Sequence, residues 1–199
     1  MTAHDAKAVI FDCDGTLALT ANLHFDAFNA ALARQGAHMN REWYDARKGL
    51  DRNDLITEFS AQHAIELDRA RIVADSRAIT VERAAHSAVE NPPVANLARR
   101  LKGTVPIAVG SNAETDVVRA ILRGAMLDQL FDVVVTVVEA LHPKPSPAIF
   151  LLAAERLAVA PNECLVLEDS EQGIEAAIAA GMNVLDVRLP ETLSRIDTW

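Results

Sequence analysis

Five short stretches of the chain are apolar at nearly every position and stop abruptly at polar residues. They are Ala8-Val9-Ile10-Phe11, Val105-Pro106-Ile107-Ala108-Val109, Val133-Val134-Val135, Cys164-Leu165-Val166-Leu167 and Val184-Leu185-Asp186-Val187. Strands without polar alternation must be covered on both faces, which is the pattern of a buried parallel sheet. Between them, apolar residues recur with helical spacing over Thr115 to Arg123, Ala148 to Leu157 and Gly173 to Ala180, with Gly124 and Gly181 placed as C-terminal stops. The alternation predicts an α/β fold, a Rossmann-like parallel sheet with helices on both faces. Pro106 suits the start of its strand better than the middle, because it cannot donate to a ladder.

From Leu19 to His86 the alternation breaks. Helical patterns cover Phe25 to Arg34, Asp54 to Gln62 and Asp68 to Ala85, with no strand among them. The interval reads as a helical insertion after the first strand. Asn91-Pro92-Pro93 marks the return, since neither proline can continue a helix. The expected organisation is an α/β core over 1–18 and 87–199, with a helical domain over 19–86.

Composition narrows the partners. A chain of 199 residues with 50% hydrophobic content can bury a core without staples. Its two cysteines, Cys13 and Cys164, lie far apart and have no metal-type spacing, so a reducing compartment is expected, with no disulfide framework or zinc site. The N-terminus carries no signal-like apolar run, and nowhere do eighteen apolar residues run unbroken, which predicts a soluble cytoplasmic protein. The formal net charge of -9 would repel nucleic acid and anionic membrane. A small molecule is the expected partner, and a monomer or weak dimer the expected state. If that molecule carries phosphate, the site needs local cations, from a metal or from placed Lys and Arg.

The chemistry-bearing residues follow the strands. Asp12-Cys13-Asp14-Gly15-Thr16 comes directly after the first strand, where open α/β sheets place their ligands. Alone it could be an acidic turn closed by Gly15. It is not an EF-hand loop, whose first Asp would fall where Ile10 stands. Three more polar clusters follow later strands: Ser111-Asn112, Lys144-Pro145 and Glu168-Asp169-Ser170. Each has an ordinary reading as a cap, an exposed charge or a helix-start acid. Parallel strands bring all four together, and a carboxylate, a hydroxyl, an ammonium and a second acidic pair suit phosphoryl transfer.

In these four motifs, in their order and across essentially the whole chain, the sequence resembles the haloacid dehalogenase superfamily of aspartate-dependent phosphatases and mutases. The insertion is similar to the cap of its phosphoglycolate phosphatase and β-phosphoglucomutase subgroup, and within it to the bacterial fructose-1-phosphate or phosphogluconate phosphatases. The resemblance implies that Asp12 is the nucleophile, forming an aspartyl phosphate, and Asp14 the general acid and base. It implies magnesium held by Asp12, the Asp14 backbone carbonyl and Asp169, with Glu168 nearby. Ser111, Asn112 and Lys144 would bind the phosphoryl group. His24, Lys48 and Arg52 resemble cap positions that contact a sugar phosphate, although Lys48 and Arg52 are also spaced as a solvated i, i+4 pair. Arg77 is a weaker candidate for a second anion contact.

The chain departs from the subgroup pattern after Thr16, where Leu19 and Ala21 stand in place of acids beside the hinge. The reading is a phosphatase of a small phosphorylated metabolite, with a hexose phosphate mutase as the competitor. A phosphoaccepting signalling domain is a minor alternative, because its acids would come earlier in the order.

Overall fold

The computed structural model describes residues 5–47 and 49–198. Strands β1 (Ala8–Phe11), β2 (Ile107–Ser111), β3 (Val133–Thr136), β4 (Cys164–Glu168) and β5 (Asn183–Asp186) form one parallel sheet, ordered β3-β2-β1-β4-β5. Along β1, Val9 and Phe11 enter one apolar cluster while Ala8 and Ile10 enter another on the opposite face. Leu165 and Leu167 of β4 divide from Cys164 and Val166 in the same way. Two-sided burial therefore explains the unbroken apolar runs.

Among the described residues, five helices lie between β1 and β2: α1 (Ala21–Ala33), α2 (Arg41–Asp45), α3 (Arg52–His63), α4 (Arg69–Ser87) and α5 (Pro92–Leu101). Then come α6 (Thr115–Gly124), α7 (Val137–Ala140), α8 (Ala148–Arg156), α9 (Glu171–Ala179) and α10 (Pro190–Asp197). Residues of α5, α6 and α10 cover one face of the sheet, and those of α8 and α9 the other. A third cluster, built on Phe28, Leu32, Met39, Tyr44, Leu55, Ile56, Phe59 and Ile72, is the interior of the inserted helices. The insertion is thus a helical cap with its own apolar centre. Two of its helices also reach the sheet's cluster, α1 through Leu23 and α4 through Ala84.

The strands entering and leaving the cap run side by side. Ala18 bridges Glu90 in antiparallel fashion, the Leu19 amide donates to the Val89 carbonyl at 2.7 Å, and the Asn91 amide donates to Leu17 at 2.8 Å.

Several expectations shift in detail. Strand β2 begins after Pro106 and runs through Gly110 to Ser111, which pair with Val135 and Thr136. Asn91-Pro92-Pro93 opens α5 rather than breaking a helix, because prolines in a first turn forfeit no hydrogen bond. Gly181, at φ 72°, ends its helix as expected. Gly124 also ends its helix, as the last residue of α6 and without a positive φ, and a Cβ there would lie 2.2 Å from the Ala84 carbonyl oxygen, so it further allows the close approach of α4. No helix among the described residues is long and apolar enough to cross a membrane.

Candidate active site

The ends of β1, β2 and β4 and the loop after α7 converge on one cavity, which the cap roofs. Its floor is an ion cluster. The Lys144 ammonium donates to Asp12 Oδ1 at 2.6 Å and to Glu168 Oε1 at 2.7 Å, and all three side chains are buried. Lys144 does not follow β3 directly, since α7 intervenes. Its loop is fixed by Asn112, whose Oδ1 accepts from the Lys144 amide at 2.8 Å and whose Nδ2 donates to the Gly49 carbonyl at 3.0 Å. The Asn112 side chain therefore ties the lysine loop to the cap. Ser111 is buried, and its Oγ accepts from the Ala113 amide at 3.0 Å.

Glu168 is held on its other oxygen, which accepts from the Ser170 amide at 2.6 Å and the Ser170 hydroxyl at 2.9 Å. Ser170 in turn caps α9 by accepting from the Gly173 amide. A Cβ at Gly173 would stand 1.8 Å from Glu168 Oε1, so only glycine fits behind this carboxylate. Asp169 accepts from the Thr16 hydroxyl at 3.2 Å. Gly15, at φ 89°, turns the chain beneath it, and a Cβ there would fall 2.0 Å from Asp169 Oδ2.

Asp14 faces the cap. Its Oδ1 accepts from the Thr20 hydroxyl at 2.7 Å and lies 2.6 Å from His24 Nε2. Arg52 also lines the cavity, stacked 5.0 Å from the Phe28 ring centre, and donates to the Ser76 hydroxyl and to both oxygens of Glu114. Lys48 lies outside the described residues. Arg77 is not brought into the cavity: it is half-exposed and forks onto Asp116 at 2.9 and 3.0 Å.

The electrostatics are those of an overcrowded acidic site. Burial pushes the Asp12 carboxyl well above the usual range, Lys144 opposes this, and Glu168, Asp169 and Asp14 add to it. Burial and Glu168 raise Asp169 to about 7. Two carboxylates hold Lys144 charged against its burial. Burial would raise Asp14 too, but His24 and Thr20 outweigh it and hold the carboxyl low. Burial likewise raises the Cys13 thiol.

Oxygens of Asp12, Glu168 and Asp169 lie within 4.8 Å of one another. This all-oxygen set with surplus negative charge fits a hard divalent cation such as magnesium. Glu168 has less to offer it than Asp12 and Asp169, because both Glu168 oxygens already accept hydrogen bonds.

Thr20 and Glu114 are polar residues of the cavity that the sequence did not single out. Thr20 stands one helical turn before His24, a spacing that could have linked them. Glu114 meets Arg52 across 62 residues, which no local pattern encodes.

Fold and site together define a capped α/β enzyme with a cluster of carboxylates at the carboxyl edge of its parallel sheet. The chain belongs to the haloacid dehalogenase-like hydrolases, whose family model matches residues 6–181. It is 36% identical over 185 residues to the fructose-1-phosphate phosphatase YqaB of Escherichia coli, covering 91% of this chain and 96% of that protein. Among solved structures it resembles CbbY of Rhodobacter sphaeroides bound to phosphate, with a TM-score of 0.81 and 30% identity, over 90% of this chain and 84% of that one. A mutant of the same protein in complex with xylulose-(1,5)bisphosphate matches at TM-score 0.81 and 29% identity, with the same coverage.

Proposed function

We propose that this protein is a magnesium-dependent phosphatase of a small phosphorylated sugar, working through an aspartyl phosphate on Asp12. The observation that carries the reading is the Asp12 carboxylate at the end of β1, with the Lys144 ammonium 2.6 Å away and oxygens of Glu168 and Asp169 within 4.8 Å. The Escherichia coli relative, a fructose-1-phosphate phosphatase, supports the substrate class. The same reading takes 19–86 as the cap and 1–18 with 87–199 as the catalytic core.

Asp12 attacks phosphorus in line and displaces the sugar alkoxide, and Lys144 neutralises charge on the transferring oxygens. Ser111 and the Asn112 backbone hold a phosphoryl oxygen. Asp14 delivers the proton that the leaving oxygen needs and takes one from the water that later attacks the aspartyl phosphate. Held low by His24 and Thr20, Asp14 stands ready as the base. A phosphate dianion arriving beside it raises its pKa by like-charge repulsion, toward the form required of the acid. Magnesium bound at Asp12, the Asp14 carbonyl and Asp169, with Glu168 beside it, would relieve the crowding of acids and polarise the phosphoryl group. The cap supplies His24 and Arg52, and excludes bulk water when it sits over Asp14.

The test is a panel of sugar phosphates, polyol phosphates and phosphoglycolate assayed for released phosphate with magnesium. In parallel, β-glucose 1-phosphate primed with a trace of its bisphosphate is followed for glucose 6-phosphate. Net phosphate release from a sugar phosphate is expected. Glucose 6-phosphate accumulating far faster than phosphate from any panel member would replace this reading with a mutase.

A further inference from the structure

The cap arginine in the cavity is already spoken for. Arg52 Nε donates to Glu114 at 3.2 and 3.4 Å, and its Nη1 donates to Ser76 at 3.2 Å. The pair spans the cavity from α3 of the cap to the residue that precedes α6 of the core, and is largely shielded, with side-chain exposures of 5% and 14%. The remaining described cations of the cavity wall are likewise engaged. Lys144 serves Asp12 and Glu168, and Arg47 meets Glu58 at 2.7 Å.

We propose that Glu114 is a specificity-determining residue that restricts the cavity to sugar monophosphates, by neutralising Arg52 and presenting a carboxylate to the far end of the substrate. The proposal rests on the phosphatase reading. Its physical basis is donor and acceptor matching. A guanidinium beside a carboxylate offers donors and acceptors together, which a hydroxyl satisfies by accepting from one and donating to the other. A second phosphate dianion has no proton for Glu114 and meets its charge in a shielded place, where repulsion is poorly screened. The fold does not itself forbid a second phosphate, since the Rhodobacter mutant was solved with a sugar bisphosphate. In this chain, Glu114 takes up the cationic capacity that such a group would need.

The experiment compares kcat/KM for fructose 1-phosphate and fructose 1,6-bisphosphate in the wild type, Glu114→Gln and Glu114→Lys. It also measures calorimetric binding of both esters in an Asp12→Asn background with and without Glu114→Gln. The wild type is expected to favour the monophosphate. Each step of charge removal should shift the ratio toward the bisphosphate by about tenfold or more, the worth of a charge-assisted contact. The shift should appear in KM and in affinity rather than in kcat, which a purely structural role for Glu114 would not produce. A wild type that handles both esters alike overturns the proposal even if a variant fails to fold. So does an unmoved ratio in variants that still hydrolyse the monophosphate, and that outcome leaves the phosphatase reading intact. Absence of hydrolysis of every ester by the wild type instead removes the phosphatase reading, and this inference with it.

Discussion

The two aspartates of the first motif occupy opposite electrostatic settings two residues apart. Asp12 is crowded by acids and pushed up, while Asp14 is held low by His24 and Thr20. Asp12→Asn removes the proposed nucleophile but also relieves that crowding. Turnover should fall by about 10⁴-fold or more, while the melting temperature in chelator is not lowered. Asp14→Asn should cost about a hundred- to ten-thousand-fold in turnover. Steady-state rates and melts of both variants check this, and wild-type turnover by Asp12→Asn would end the aspartyl-phosphate account.

Asp169 gives the pH dependence. Its carboxyl lies at about 7 in the metal-free fold against an ordinary 3.8, so between those values the folded state holds a proton that the unfolded state has released. Stability of the metal-free protein should therefore fall as pH rises through that window. A cation that needs the ionised carboxylate should recover progressively more of it. Melting temperatures with chelator and with magnesium, taken from about pH 5 to about pH 8, should diverge as pH rises. A pH-independent gap would contradict this.

At the scale of elements, two of the arginine–carboxylate pairs between cap and core should differ in worth. Arg77 and Asp116 are both nearly half-exposed, so Arg77→Ala should cost under about 1 kcal/mol. Arg52→Ala strands Glu114 in a shielded place and should cost roughly 3 kcal/mol. Urea denaturation of the two variants separates them, and equal losses would mean that burial does not set their value. The strands were legible because two-sided burial leaves an unbroken apolar run, as in Val9 to Phe11. Helix α5 was missed because Pro92 and Pro93 look like a break until they are seen at its first turn. Three motifs written at strand ends, with Lys144 in the loop after α7, made the floor of the site readable. Its roof was not, because Glu114 meets Arg52, and Asn112 meets Gly49, only through tertiary folding.

For the whole molecule, the cap's attachment matters most. Helix α4, about 28 Å long at 1.5 Å per residue, carries Ile72 into the cap's interior and Ala84 into the sheet's cluster, and α1 does likewise with Phe28 and Leu23. Mechanically the two helices form a cantilever. It is clamped where Leu23 and Ala84 enter the core, stiff along its length, and propped again where Arg52 meets Glu114 and the Gly49 carbonyl meets Asn112. Its fulcrum is the Ala18–Glu90 bridge, and Gly124 sets how closely the clamped end sits. Gly124→Ala would push on the Ala84 carbonyl, which lies outside the cavity lining, and displace Arg52 and His24 relative to the floor. A misplacement of about 1 Å can cost on the order of a hundredfold in rate. Lowered kcat/KM with unchanged magnesium affinity is the expected signature, and an unchanged kcat/KM in a folded variant would mean that the clamp has slack. Sensitivity to substitution in this cap should thus be graded along a propped beam, greatest at the anchored end and again where Arg52 meets Glu114.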